Sequence, residues 1–111
     1  MKKESTAILI RIFFGESDQY QKQNTYQFLV EYLRKNKFAG VTVLRGIEGF
    51  GHKSIIHTSN LLELSSDLPI VLEVVDQEEK INSLKQFIDE NNLIKSGLIT
   101  QEKVQIIQYG S

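Results

Sequence analysis

A chain of 111 residues with 41% hydrophobic content has the size of one domain, residues 1–111, with one core and not two. Thirteen basic side chains against fourteen acidic ones leave a formal net charge of -1, which gives no strong field for nucleic acid or an anionic membrane. The absence of cysteine excludes disulfides, thiolate metal sites and a cysteine nucleophile.

The N-terminal segment MKKESTAILIRIFFGES begins basic and turns apolar, but Arg11 interrupts the apolar run and no cleavage motif follows. No run approaches the roughly 18 apolar residues of a membrane span, so a soluble, cytoplasmic protein is expected. Ala7 to Phe14, AILIRIFF, is β-branched and aromatic and ends at Gly15-Glu16-Ser17-Asp18, which predicts a strand closed by a turn. After the polar stretch YQKQN, the segment TYQFLVEYLRKNK sets Tyr26, Leu29, Val30 and Leu33 at helical spacing. Asn24 is its candidate N-cap. VTVLRGI, from Val41, predicts a second strand that runs into a long glycine-rich loop.

Leu68 to Asp76, LPIVLEVVD, predicts the next strand, with the single proline at its start, where a missing N–H is tolerated. Asp76 to Glu79 has the D-x-x-E spacing of a capping box. Ile81, Leu84, Phe87 and Ile88 then line one face of a helix that ends near Asn91 and Asn92. Lys95-Ser96-Gly97 predicts a turn, Leu98 to Thr100 an extended piece, and VQIIQY, Val104 to Tyr109, a last strand. The order βαββαβ predicts an α+β, ferredoxin-like sandwich, an antiparallel sheet with two helices on one face. Its strands carry apolar residues on both faces, Ile8, Ile10 and Ile12 against Leu9 and Phe13, so the second face is expected to be buried by a partner.

The chemistry-bearing stretch is RGIEGFGHKSIIHT, Arg45 to Thr58, with three glycines and both histidines of the chain. Its G-F-G core matches an RNA-binding strand motif at that core alone. Glu48 stands where a basic residue would meet phosphate, and His52, Lys53 and Ile55 replace aromatic or apolar motif positions. No nucleic-acid partner is expected. His52 and His57 are five apart, which in a strand sends them to opposite faces, so no metal chelate is expected. Ser54, His57 and Asp67 assemble a triad only on paper, without a nucleophile elbow, and no catalytic residues and no enzymatic turnover are expected. Gly46, Gly49 and Gly51 would let backbone amides approach an anion, with Arg45, His52 and Lys53 as charged donors, although the Walker pattern is absent. A glycine-rich hairpin without ligand explains the same composition. Arg45 is also suited to a salt bridge with a neighbouring carboxylate, and Phe50 to packing under the loop.

The run GVTVLRGIEGFGHKSIIHT, Gly40 to Thr58, followed by LPIVLEVVD, resembles the PII-like family long labelled a domain of unknown function. FGE, Phe14 to Glu16, and GLIT, Gly97 to Thr100, agree with it, and the likeness covers the whole chain. The resemblance implies a PII-like homotrimer whose three sheets face one another inside. It also implies an adenine nucleotide, ATP, ADP or AMP, or a similar small anion in the clefts between subunits. By position it assigns Thr42, Arg45, Gly46, Gly49, Phe50, Gly51, His52 and Lys53 to the base of the ligand loop, and Lys95, Ser96 and Gly97 to the turn that completes the cleft. The loop 48–61 would then be the regulatory arm that meets a membrane transporter or other regulated protein. A CutA-like trimer responsive to metal or another small ion is the alternative that shares this architecture.

Overall fold

Alternating isoleucines build the central strand. The computed structural model describes residues 1–50, 56–58 and 68–110, and in it β1 (Lys2–Gly15) sends Ile8, Ile10, Ile12 and Phe14 to one side, all buried. β4 (Thr42–Arg45), β7 (Pro69–Asp76) and β8 (Leu98–Tyr109) join it in a four-stranded sheet of order β4-β7-β1-β8, with every pair antiparallel. Two short pairs lie outside this sheet, β2 (Gln19–Tyr20) with β3 (Gln23–Asn24), and β5 (Glu48–Phe50) with β6 (Ile56–Thr58).

Helices α1 (Thr25–Lys35) and α2 (Glu78–Glu90) bury Leu29, Leu33, Ile81, Leu84 and Ile88 in one cluster with the isoleucines of β1 and with Ile70, Leu72 and Val74 of β7. Both helices therefore cover the same sheet face. Between them Tyr32 stacks on Phe87 with ring centroids 3.8 Å apart and planes 10° apart. The architecture is the ferredoxin-like α+β sandwich expected from the strand and helix order.

Several local features differ from the sequence reading. β1 begins at Lys2 rather than Ala7, because Lys2 to Thr6 pair with Gln105 to Tyr109 as a two-stranded ribbon that needs no burial and so leaves no apolar signal. β8 runs unbroken through Gln101-Glu102-Lys103, since an edge strand exposes these side chains while its backbone stays paired to β1. The capping box is not formed. The N-cap of α2 is Gln77, without a side-chain cap, and Asp76 instead accepts from the backbone N–H groups of Gln77 at 2.7 Å and Ala39 at 2.8 Å. Asp76 is still strand at that point, so its carboxylate serves the α1–β4 connection rather than the third residue of a helix. Asn24 occupies the N-cap of α1 as expected, through its backbone alone.

Candidate functional site

Register fixes which side chains share a sheet face, because directly paired residues in antiparallel strands project the same way. Arg45 pairs with Ile70, and Ile70 with Phe14, so Arg45 lies on the helix-covered side at the C-terminal end of β4. Glu16 follows β1 at the same end and side. Arg45 Nη2 donates to Glu16 Oε2. The Glu16 side chain is 14% exposed and that of Arg45 is 54% exposed. The carboxylate partner foreseen for Arg45 in general terms is thus a specific residue, four positions beyond Ile12 and outside the loop altogether.

Backbone bonds hold both ends of this pair. Glu16 N–H donates to Leu68 O at 2.8 Å and Gly46 N–H to Pro69 O at 2.7 Å, consecutive carbonyls at the start of β7. The turn below Glu16 is closed by Asp18, whose Oδ2 accepts from Gly15 N–H at 3.1 Å and whose own N–H donates to Gly15 O at 3.2 Å. Gly46 therefore has a use different from presenting its amide to an anion. Its N–H is engaged by Pro69, and a Cβ there would sit 2.8 Å from Pro69 Cγ, so the close approach of the two strands requires glycine.

Gly97 belongs to the same end of the sheet. A Cβ on it would lie 2.6 Å from Phe13 O and 2.9 Å from Ile94 Cγ2. Lys95 and Gly97 are exposed and Ser96 is half-buried in the connection that leads into β8. The two groups of candidate residues thus flank one end of the sheet from its opposite edges, Arg45 on β4 and the 95–97 turn before β8. Three strand spacings of about 4.8 Å, about 14 Å in all, separate them within one chain.

Thr42 is not beside Arg45. It pairs with Glu73, which pairs with Arg11, so it belongs to the sheet face opposite α1 and α2. Gly49 and Phe50 lie in β5, opposite His57 and Ile56 of β6. Gly51, His52 and Lys53, together with Ser54 and Asp67 of the paper triad and most of the 48–61 loop, lie outside the described residues. Among the described residues no group of three or more His, Asp or Glu is placed to hold a metal ion, and no helix is long and apolar enough to cross a membrane.

The sheet face opposite α1 and α2 carries rows of defined chemistry. Leu44, Val71, Phe13 and Leu98 form an apolar row across all four strands, followed by the polar row Thr42, Glu73, Arg11 and Thr100. Arg11 Nε donates to Glu73 Oε2 at 2.8 Å, and Arg11 Nη1 is 3.5 Å from Glu102 Oε1. Leu44 and Leu98 are 46% and 59% exposed, large apolar side chains at the two margins of a sheet face that no element among the described residues covers.

Residues 7–106 match the model of the family DUF190, described as Uncharacterized ACR, COG1993. A UPF0166 protein of Aquifex aeolicus is 38% identical over 99 residues, 89% of this chain and 91% of the relative. A second, from Methanocaldococcus jannaschii, is 32% identical over 92 residues, 79% and 84% of the two chains. Among solved structures, CPII of Thiomonas intermedia K12, a nitrogen regulatory PII-like protein bound to ADP, AMP and bicarbonate, superposes with a TM-score of 0.70 at 16% identity, covering 94% of this chain and 91% of that one. A putative PII-like signaling protein from Thermus thermophilus superposes with a TM-score of 0.65 at 19% identity, covering 93% and 91%. The chain belongs to the DUF190 family, and its fold is that of the PII-like proteins.

Proposed function

We propose that residues 1–111 act as one PII-like regulatory domain in a homotrimer, binding an adenine nucleotide or similar small anion between subunits and signalling through the 48–61 loop without turnover. The observation that carries this reading is the position of Arg45 and of the 95–97 turn at one end of the sheet on its two opposite edges. An edge-to-edge arrangement of copies brings the Arg45 end of one chain near the turn of the next, which makes a two-sided cleft from parts that one chain keeps about 14 Å apart. The guanidinium supplies planar, charge-assisted donors for a phosphate, and Lys95 adds a mobile positive charge from the other side. ADP and AMP in CPII support the choice of ligand class.

The uncovered face supports the trimer. Its apolar row would be removed from water if three sheets met inside an assembly, in the manner of an obligate interface. A nucleotide changes the loop only through unequal affinity for two loop states, so binding and a change in loop protection belong together. Titration calorimetry with ATP, ADP and AMP is the test, with hydrogen exchange of residues 48–61 read on the same samples. Binding accompanied by altered exchange is the expected result, and absence of heat for all three at millimolar ligand would overturn the nucleotide reading.

A further inference from the structure

Glu16 is a fixed negative charge built against the residue that would receive a phosphate. Its side chain is mostly buried and its backbone is tied to Leu68 O, while the Arg45 guanidinium that it contacts remains half-exposed. The carboxylate therefore cannot swing away into solvent as a surface glutamate would. A guanidinium has five N–H donors, and the contact of Nη2 with one carboxylate oxygen leaves it able to engage a second anion on its outer side. Any anion arriving there meets a neutralised arginine with a carboxylate close behind it.

We propose that Glu16 is a specificity-determining residue that sets the charge preference of the Arg45 site. Because the repulsion grows with ligand charge, the carboxylate weakens binding of a polyphosphate more than that of a monophosphate and keeps exchange of ligands fast. This inference rests on the nucleotide reading given above. Glu16→Gln keeps the shape and an oxygen acceptor for Arg45 while removing the charge, so orientation of the guanidinium is retained and the repulsion is not.

The experiment is calorimetric titration of the wild type, Glu16→Gln and Glu16→Asp with ATP, ADP and AMP at two ionic strengths, with circular dichroism confirming the fold of each variant. The expected result is tighter binding by Glu16→Gln, by about tenfold for ATP and progressively less for ADP and AMP, with the gain shrinking at high salt. Glu16→Asp, which keeps the charge, should show no such gradient. Equal or weaker binding by Glu16→Gln, or an equal gain for all three nucleotides, overturns the inference while leaving the nucleotide site standing. Absence of binding by wild type and variants alike removes the nucleotide reading and this inference with it.

Discussion

Arg11 and Glu73 stand directly opposite each other in β1 and β7, on the sheet face opposite α1 and α2, and are joined by a 2.8 Å hydrogen bond. Glu102 approaches the same guanidinium from β8 at 3.5 Å. The hydrogen bond with Glu73 raises the Arg11 pKa above its already high ordinary value, so the residue remains charged at any working pH. Each chain thus brings two carboxylates and one guanidinium to the face proposed to lie inside the trimer. In an isolated chain such a half-exposed pair contributes little. Inside an assembly, loss of the arginine would leave two carboxylates without compensation.

Arg11→Ala is accordingly expected to weaken assembly by about tenfold or more at pH 7 while the single chain stays folded. Size-exclusion chromatography with light scattering, run as a dilution series, measures this. Arg11→Ala combined with Glu73→Gln, which removes one of the two carboxylates left without a partner, should recover part of the assembly at pH 7. An unchanged assembly across the series would mean that this pair does not face another copy.

Leu98 and Leu72 occupy opposite faces of the same sheet and should fail in different ways. Leu72 is fully buried under the helices, so Leu72→Ala should lower folding stability by about 2–5 kcal/mol in denaturant unfolding. Leu98 is largely exposed in one chain and stands at the end of the apolar row with Phe13, Val71 and Leu44. Leu98→Asp should therefore leave the circular dichroism spectrum intact and yield smaller species by light scattering. If Leu98→Asp assembles as the wild type does, the apolar row is not the interface.

The parts of this fold that were legible in the sequence are those where burial imposes a period. Ile8, Ile10, Ile12 and Phe14 alternate because one strand face is sealed by helices, and Leu29 and Leu33, like Ile81, Leu84 and Ile88, recur at helical spacing for the same reason. The ribbon from Lys2 to Thr6 left no trace, because backbone pairing with β8 is indifferent to side-chain type. The β2–β3 hairpin was hidden for another reason. Its turn places Gln21 and Lys22 at φ 49° and 68°, a left-handed conformation usually announced by asparagine or glycine. At the candidate site, Arg45 was readable from its motif, whereas Glu16 was not, since their 29-residue separation is closed only by the sheet.

Gly97 and Gly40 give a paired test of close packing. A methyl group at Gly97 would fall 2.6 Å from Phe13 O and 2.9 Å from Ile94 Cγ2, and the carbonyl belongs to a strand backbone that cannot yield. Gly97→Ala should therefore cost about 1–3 kcal/mol and disturb the turn that carries Lys95. At Gly40 nothing lies within 4 Å of the added Cβ, and Gly40→Ala should be neutral or stabilising by up to about 1 kcal/mol through the unfolded chain. Thermal denaturation of the two variants beside the wild type decides the matter. Equal losses would show that the glycines serve only as flexible points.

Tyr32 makes the stability of the helical layer depend on alkaline pH. Its ring stacks on Phe87, and burial raises the phenol's pKa above the usual value of about 10, because the phenolate is the form that loses hydration. The folded state therefore binds this proton more tightly than the unfolded chain does. The resulting contribution is fully present below the ordinary phenol value and is lost as pH rises through the higher folded value. Wild type should accordingly show a tyrosine absorbance component that titrates above the ordinary range, together with a fall in melting temperature as pH rises past the ordinary phenol value of about 10. Tyr32→Phe keeps the stacked ring, lacks the late component and should fall less over the same rise in pH. Identical alkaline profiles for the two proteins would mean that the Tyr32 phenol is as well hydrated in the folded chain as in the unfolded one.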